Sequence, residues 1–288
     1  MRSWKHPGKP ALASIKARYY KQYNANYELE IPAEGFDGWQ EREIEIDLSR
    51  LALISMHAWD YGARMDFPGW YNHVEYIPRA RDILEKVFPC LLENARASPV
   101  HVFHVASGGK YYKKFKGYKH ARKLVRKMSL NHKAVIPKIR KTKERRAIDA
   151  FRQDECGYGI ENREDIEKAF NHLNFPTQAM PISGEGVAEN AQQLHALCLE
   201  SGVDHLVYIG FALNWCLLLS PAGMVEMSKL GYLCSTIPEA TTAVENASTA
   251  SSELNKQAAL WRVALSFGFI FPLKSFISSL SSFHESEA

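Results

Sequence analysis

A three-layer α/β/α domain with a mostly parallel sheet of about six strands is the fold this 288-residue sequence predicts. Two observations carry the prediction. Short apolar runs alternate with stretches of helical periodicity, which is how strand–helix–strand units read. Hydrophobic residues at 46% and charged residues at 24% give the ordinary mix of a globular chain with a sizeable core, so wholesale disorder is excluded.

The elements follow in chain order. Residues 1–49, with YYKQYNANYELE and EREIEID, read as an N-terminal extension that adds edge structure to a main domain at 50–275. Leu51–Met56 (LALISM) is a buried strand run, placed centrally beside the run at 205–209. Past the turn-rich 60–69, Val74, Ile77, Ile83, Leu84, Val87 and Leu91 share one helical face. Residues 100–105 (VHVFHV) form the second strand, and 161–173 a polar helix. Val187, Ala191, Leu194 and Cys198 recur at steps of four, three and four, the inner stripe of a helix that Gly202 ends. Strands at 205–209 (HLVYI) and 232–237 flank a helix over 216–230. A helix at 252–265 and a strand at 269–271 (FIF) complete the order, and the Ser-rich tail at 276–288 is expected to fray.

Charge marks one segment off. Residues 110–146 hold sixteen Lys and Arg against the single Glu144, while the remainder carries 20 basic and 31 acidic residues. A basic helical insertion is therefore expected at about 110–160. Its mixture of cations and aromatics suits a nucleic acid or another polyanion, or the acidic remainder of another subunit in a homo-oligomer. A solvated helical cover is the plainer reading. Five cysteines form no CxxC pair and no zinc-ligand spacing, so neither a disulfide framework nor a metal is expected, and a reducing cytoplasm is. No window reaches the roughly 18 apolar residues of a membrane span. The basic N-terminus lacks the apolar core of a secretory signal.

Chemistry in a doubly wound sheet belongs at the carboxyl ends of its strands. The stretches to weigh are 55–60, 106–110, 182–186 and 210–216. In GFALNWC, Cys216 falls near the start of the next helix, where the dipole and free N–H groups would favour a thiolate and hold an oxyanion. The plain alternative is a small buried hydrophobe.

The stretch GVDHLVYIGFALNWCLLLSPAGMVEMSKLGYLCSTIPEATTAVE resembles the C-terminal half of the isochorismatase-like cysteine hydrolases. LALISMHAWDYG and PGWYNHVEYIPRARDIL with VHVFHV resemble the N-terminal half, and the likeness covers roughly 50–105 and 177–272. It implies the strand order 3-2-1-4-5-6, a small amide or related C–N substrate, a thioester on Cys216, and no cofactor. It also implies an oxyanion site at Ala212 beside a cis Phe211–Ala212 peptide. Two positions depart from the family pattern. Ser55 stands where the family has its aspartate base, and Ser183 where it has its lysine; serine replaces neither.

His57, two residues beyond Ser55 and so on the same side of an extended strand about 6.6 Å further along, is a candidate replacement base. Asp60 and Lys110 also follow strand ends, with solvated loop charges as their plainer reading, and Asn214 suits a tight loop or a substrate contact. The sequence thus carries two functions. One is a divergent cysteine hydrolase using Cys216 with His57 or Asp60. The other is a catalytically degenerate binding protein that keeps the pocket.

Overall fold

The computed structural model describes residues 10–128 and 139–287. Two antiparallel strands come first, β1 (Leu12–Lys21) and β2 (Gly38–Asp47), paired over ten positions. Strand β3 (Leu51–Met56) leads into α1 (Pro68–His73), α2 (Ile77–Lys86) and α3 (Phe88–Ala97). The single helical face expected from Val74 to Leu91 is thus two helices. They part at Val87, just ahead of Pro89, whose missing N–H suits the first turn of a new helix and not the interior of an old one.

Strand β4 (His101–Val105) is followed by α4 (Lys116–Lys127), α5 (Lys143–Cys156) and α6 (Arg163–His172). Residues 129–138 of the basic segment lie outside the described residues. Then come β5 (Gly186–Ala188) and α7 (Ala191–Ser201). Val187 lies in that three-residue strand and not on the helix. Asn190 starts the helix instead, its Oδ1 accepting the Gln193 N–H at 3.0 Å. Gly202 ends it at φ +74°, as the sequence predicts. Strand β6 (His205–Gly210), α8 (Met224–Lys229), β7 (Leu233–Thr241), α9 (Leu254–Ser266) and α10 (Leu273–Glu287) complete the chain.

The five strands of the main sheet run parallel in the order β5-β4-β3-β6-β7, with Leu51–Met56 central beside β6. Counted from β3, this is 3-2-1-4-5. The expected sixth strand is reduced to Ile270, bridged in parallel to Thr236 and antiparallel to Arg18. Gly268, whose Cβ would meet the Cys234 carbonyl at 2.5 Å, and Pro272 bound it too closely for more. Through Ile270 the β1–β2 hairpin joins the sheet edge.

Alternation along β3 divides the core. Leu51 and Leu53 face one layer, with Leu84, Phe88, Leu92 and Phe276 from α2, α3 and α10. Ala52, Ile54 and Met56 face the other, with Leu124, Leu194, Met227 and Val263 from α4, α7, α8 and α9. As far as Leu280 the tail is therefore not frayed: Phe276 and Leu280 are fully buried, and that apolar side holds α10 in place. Among the described residues no helix is long and apolar enough to cross a membrane.

Candidate functional site at the carboxyl end of the sheet

Where β3 and β6 end side by side, Gly210 pairs with Met56. Gly210 has φ +120°, and a Cβ there would lie 2.0 Å from the Met56 carbonyl oxygen, so only glycine lets the strands close. The Phe211–Ala212 peptide that follows is cis. Leu213–Leu217 then forms one wide π-type turn, in which the Ala212 carbonyl accepts the N–H groups of Trp215 (3.2 Å) and Leu217 (3.1 Å). The Leu213 N–H donates to the Thr242 carbonyl at 2.7 Å, tying this turn to the chain beyond β7.

Cys216 is the fourth of the five residues in that turn and is half buried. The helix expected over 216–230 is broken at Pro221 and resumes as α8, so no long dipole stands behind the sulfur. Burial pushes the thiol above its ordinary pKa. The Ser220 hydroxyl and the Ala212 backbone N–H favour the thiolate but do not outweigh burial. The expectation of a lowered cysteine pKa is corrected accordingly.

Ser55 is buried on the face of β3 that carries Leu51 and Leu53, and its Oγ has no hydrogen-bond partner among the described residues. His57 does not continue the strand. It sits at φ +51° with its N–H on the Val105 carbonyl, so the two-residue alternation that would align it with Ser55 no longer applies. Its ring stacks on Trp59 with centroids 5.0 Å apart, its Nδ1 is buried without a partner, and burial lowers its pKa to about 4.

Tyr61, missed in the sequence, brings a buried, unpartnered hydroxyl and packs 6.4 Å from the Phe211 ring. Tyr61 and Tyr76 both lie near enough to feel charge on Cys216, and burial raises both phenols. Thr242, within the ATTAVE stretch, adds another buried, unpartnered hydroxyl. Phe211 and Ala212 are buried in the same layer.

Other candidates stand apart. Asp60 is exposed and caps its own loop, its Oδ1 accepting the Gly62 N–H at 3.1 Å. Lys110 is exposed ahead of the turn Tyr111–Lys114. Ser183 is exposed in a turn that precedes β5, at the amino end of the parallel sheet, whereas Cys216 follows a carboxyl end. The carboxylate that does follow β5, Glu189, is occupied by the hydroxyls of Tyr112 (2.7 Å) and Tyr118 (2.6 Å). Asn214 bonds the backbone of Val244 at both ends of its amide.

No protein-family model matches the sequence, and no curated protein matches it. Solved structures do. A cysteine hydrolase from Pseudomonas syringae pv. phaseolicola 1448A superposes with a TM-score of 0.51 at 14% identity, over 83% of this chain and 95% of that one. The chain shares the fold of that cysteine hydrolase. An isochorismatase family protein from Desulfovibrio vulgaris subsp. vulgaris str. Hildenborough (TM-score 0.40, 18% identity, 81% and 98% coverage) is also similar. So is N-carbamoylsarcosine amidase from Thermoplasma acidophilum (0.41, 12%, 78% and 96%). At such identities the likeness is one of fold. At the carboxyl ends of its strands this chain carries four uncharged polar groups that are buried without partners among the described residues: Ser55 at the end of β3, His57 and Tyr61 just beyond it, and Thr242 just beyond β7.

Proposed function

We propose that this chain binds a small, neutral, polar molecule at the carboxyl rim of its sheet and does not turn it over by the thioester route. The observation that carries this reading is the setting of Cys216. Burial, one hydroxyl and one backbone N–H act on its sulfur, and among the described residues no carboxylate acts on it to receive the thiol proton. His57, with a pKa of about 4, is a weak base. A missing general base costs on the order of 10²–10⁴ in rate, and at neutral pH the thiolate is scarce as well.

The unpartnered polar groups at the strand ends are suited to binding. The hydroxyls of Ser55, Tyr61 and Thr242 can each donate and accept, and the His57 Nδ1 adds a fourth polar atom; all are buried without protein partners among those described. An unmet buried polar group costs about 1–3 kcal/mol, so a ligand satisfying several of them binds favourably. None of these four groups carries a charge at neutral pH, so a charged ligand would gain no ion pair from them to offset its desolvation.

A second reading, slow acyl transfer through Cys216, is favoured by one detail. The Ala212 N–H lies against the sulfur, where it would also stabilise an oxyanion. Benzamide, benzoate, acetamide and N-carbamoylsarcosine separate the two readings. Binding predicts a thermal shift with benzamide, little with benzoate, and no release of ammonia from any amide. Cys216-dependent ammonia release, abolished in Cys216→Ala, would establish the hydrolase instead.

A further inference from the structure

Helix α4 has a fully committed inner side. Tyr118, Ala121, Leu124 and Val125 are buried against β5 and α7. The helix lies so close to β5 that a Cβ on Gly117 would meet the Glu185 carbonyl oxygen at 2.1 Å. Its outer side is entirely different. Lys116, Lys119, Arg122, Lys123, Arg126 and Lys127 are all exposed along 12 residues, about 18 Å of helix. Lys114, and Lys113 with its Nζ 4.0 Å from Glu189, extend the row towards Tyr111, whose hydroxyl accepts the Trp59 indole N–H at 3.0 Å.

Among the described residues, none of the six outward cations of α4 has a carboxylate within ion-pair distance. Neighbouring acids are already engaged: Glu189 by two tyrosines and Gln193, Glu200 by His120, and Glu185 by Arg96 and His104. Like charges at successive turns repel one another and lower stability, so the row is a feature the fold does not need.

We infer that the outer side of α4 is a binding surface for the sugar–phosphate backbone of a nucleic acid. A row of cations on a rigid helix matches a regularly spaced line of phosphates. A membrane surface is the poorer match, because the apolar side of α4 is spent in the core and the helix would have charge attraction alone, without the insertion that strengthens interfacial binding. Phosphate contacts carry no sequence information of their own, so affinity for the row should depend little on base sequence.

Fluorescence anisotropy of the full-length protein with a labelled 20-nucleotide oligo(U) RNA and a mixed-sequence RNA of the same length tests this. Both should bind with similar affinity at 50 mM salt. With about four to six phosphates neutralised on a single strand, binding should weaken roughly 50–300-fold at 200 mM. Lys119→Ala/Lys123→Ala/Arg126→Ala should weaken binding at least tenfold and flatten the salt slope by about 2–3. Lys86→Ala/Lys168→Ala/Lys274→Ala, exposed cations on other elements, should leave it unchanged. No binding at 50 mM salt, equal affinity in the α4 variant, or binding only to phosphatidylserine vesicles would overturn the inference.

Discussion

Asn214 and Val244 form a reciprocal pair: the Asn214 Nδ2 donates to the Val244 carbonyl at 2.9 Å, and the Val244 N–H donates to the Asn214 Oδ1 at 2.9 Å. The side-chain amide thereby behaves like one more backbone unit and fastens the turn carrying Cys216 to the chain beyond β7. The Val244 carbonyl has a second donor, the Asn255 Nδ2 at 3.1 Å, whereas the Val244 N–H relies on Asn214.

Replacement of Asn214 should therefore be asymmetric in its effect. Asn214→Leu leaves the Val244 N–H unmet and is expected to cost about 2–3 kcal/mol. Asn214→Asp keeps the acceptor and should cost roughly half as much. Urea denaturation of both variants measures the difference; equal losses would show that the donor half matters as much as the acceptor half.

Acid sensitivity should trace to buried histidines. Burial holds His57 and His205 each at a pKa of about 4, below the ordinary value of 6.5. Between these values the unfolded chain takes up protons that the folded chain refuses. The stability from neutral burial is complete above about pH 6.5 and is lost as pH falls towards 4, on the order of 3 kcal/mol for each residue. His57→Asn, which tolerates the positive φ, should remove about half of this loss. Urea midpoints at pH 7 and pH 5 provide the comparison, and an unchanged pH dependence would contradict the assignment.

Glu185 is a structural hub. Burial opposes its ionisation, but His104 (2.8 Å), Arg96 (2.7 Å) and the Ile182 N–H (2.9 Å) hold its carboxyl at about 2. Glu185→Gln leaves Arg96 facing a neutral amide and is expected to cost about 3–5 kcal/mol at pH 7. The wild-type advantage should shrink as pH falls from 4.5 towards 2. A loss below 1 kcal/mol at pH 7 would show that the contact is dispensable.

Much of this architecture was legible in the residues. LALISM and HLVYI are apolar on both faces because both layers cover them, and they stand at the centre of the sheet. Strand β5 escaped notice because three residues carry no period, and Val187 fits a helical stripe equally well. The tail looked polar by composition, yet Phe276 and Leu280 on one side suffice to dock it. At the site, the sequence singled out Cys216, Ala212 and Ser55. Tyr61 and Thr242 carry no local signal, since they meet the turn carrying Cys216, through Phe211 and Leu213, only when the chain beyond β3 and that beyond β7 fold against it. The sign of the cysteine shift was equally hidden: it depends on burial against a short helical turn, which spacing along the chain does not reveal.

The ionisation of Cys216 tests the central claim most directly. In a Cys90→Ser/Cys156→Ser background, which removes the two exposed thiols, the rate of iodoacetamide alkylation is followed against pH with the site confirmed by mass spectrometry. A neutral setting predicts a midpoint above the free-thiol value of about 8.5, unmoved by His57→Asn. A midpoint below about pH 7, rising when His57 is replaced, would show an activated cysteine–histidine pair and contradict the account.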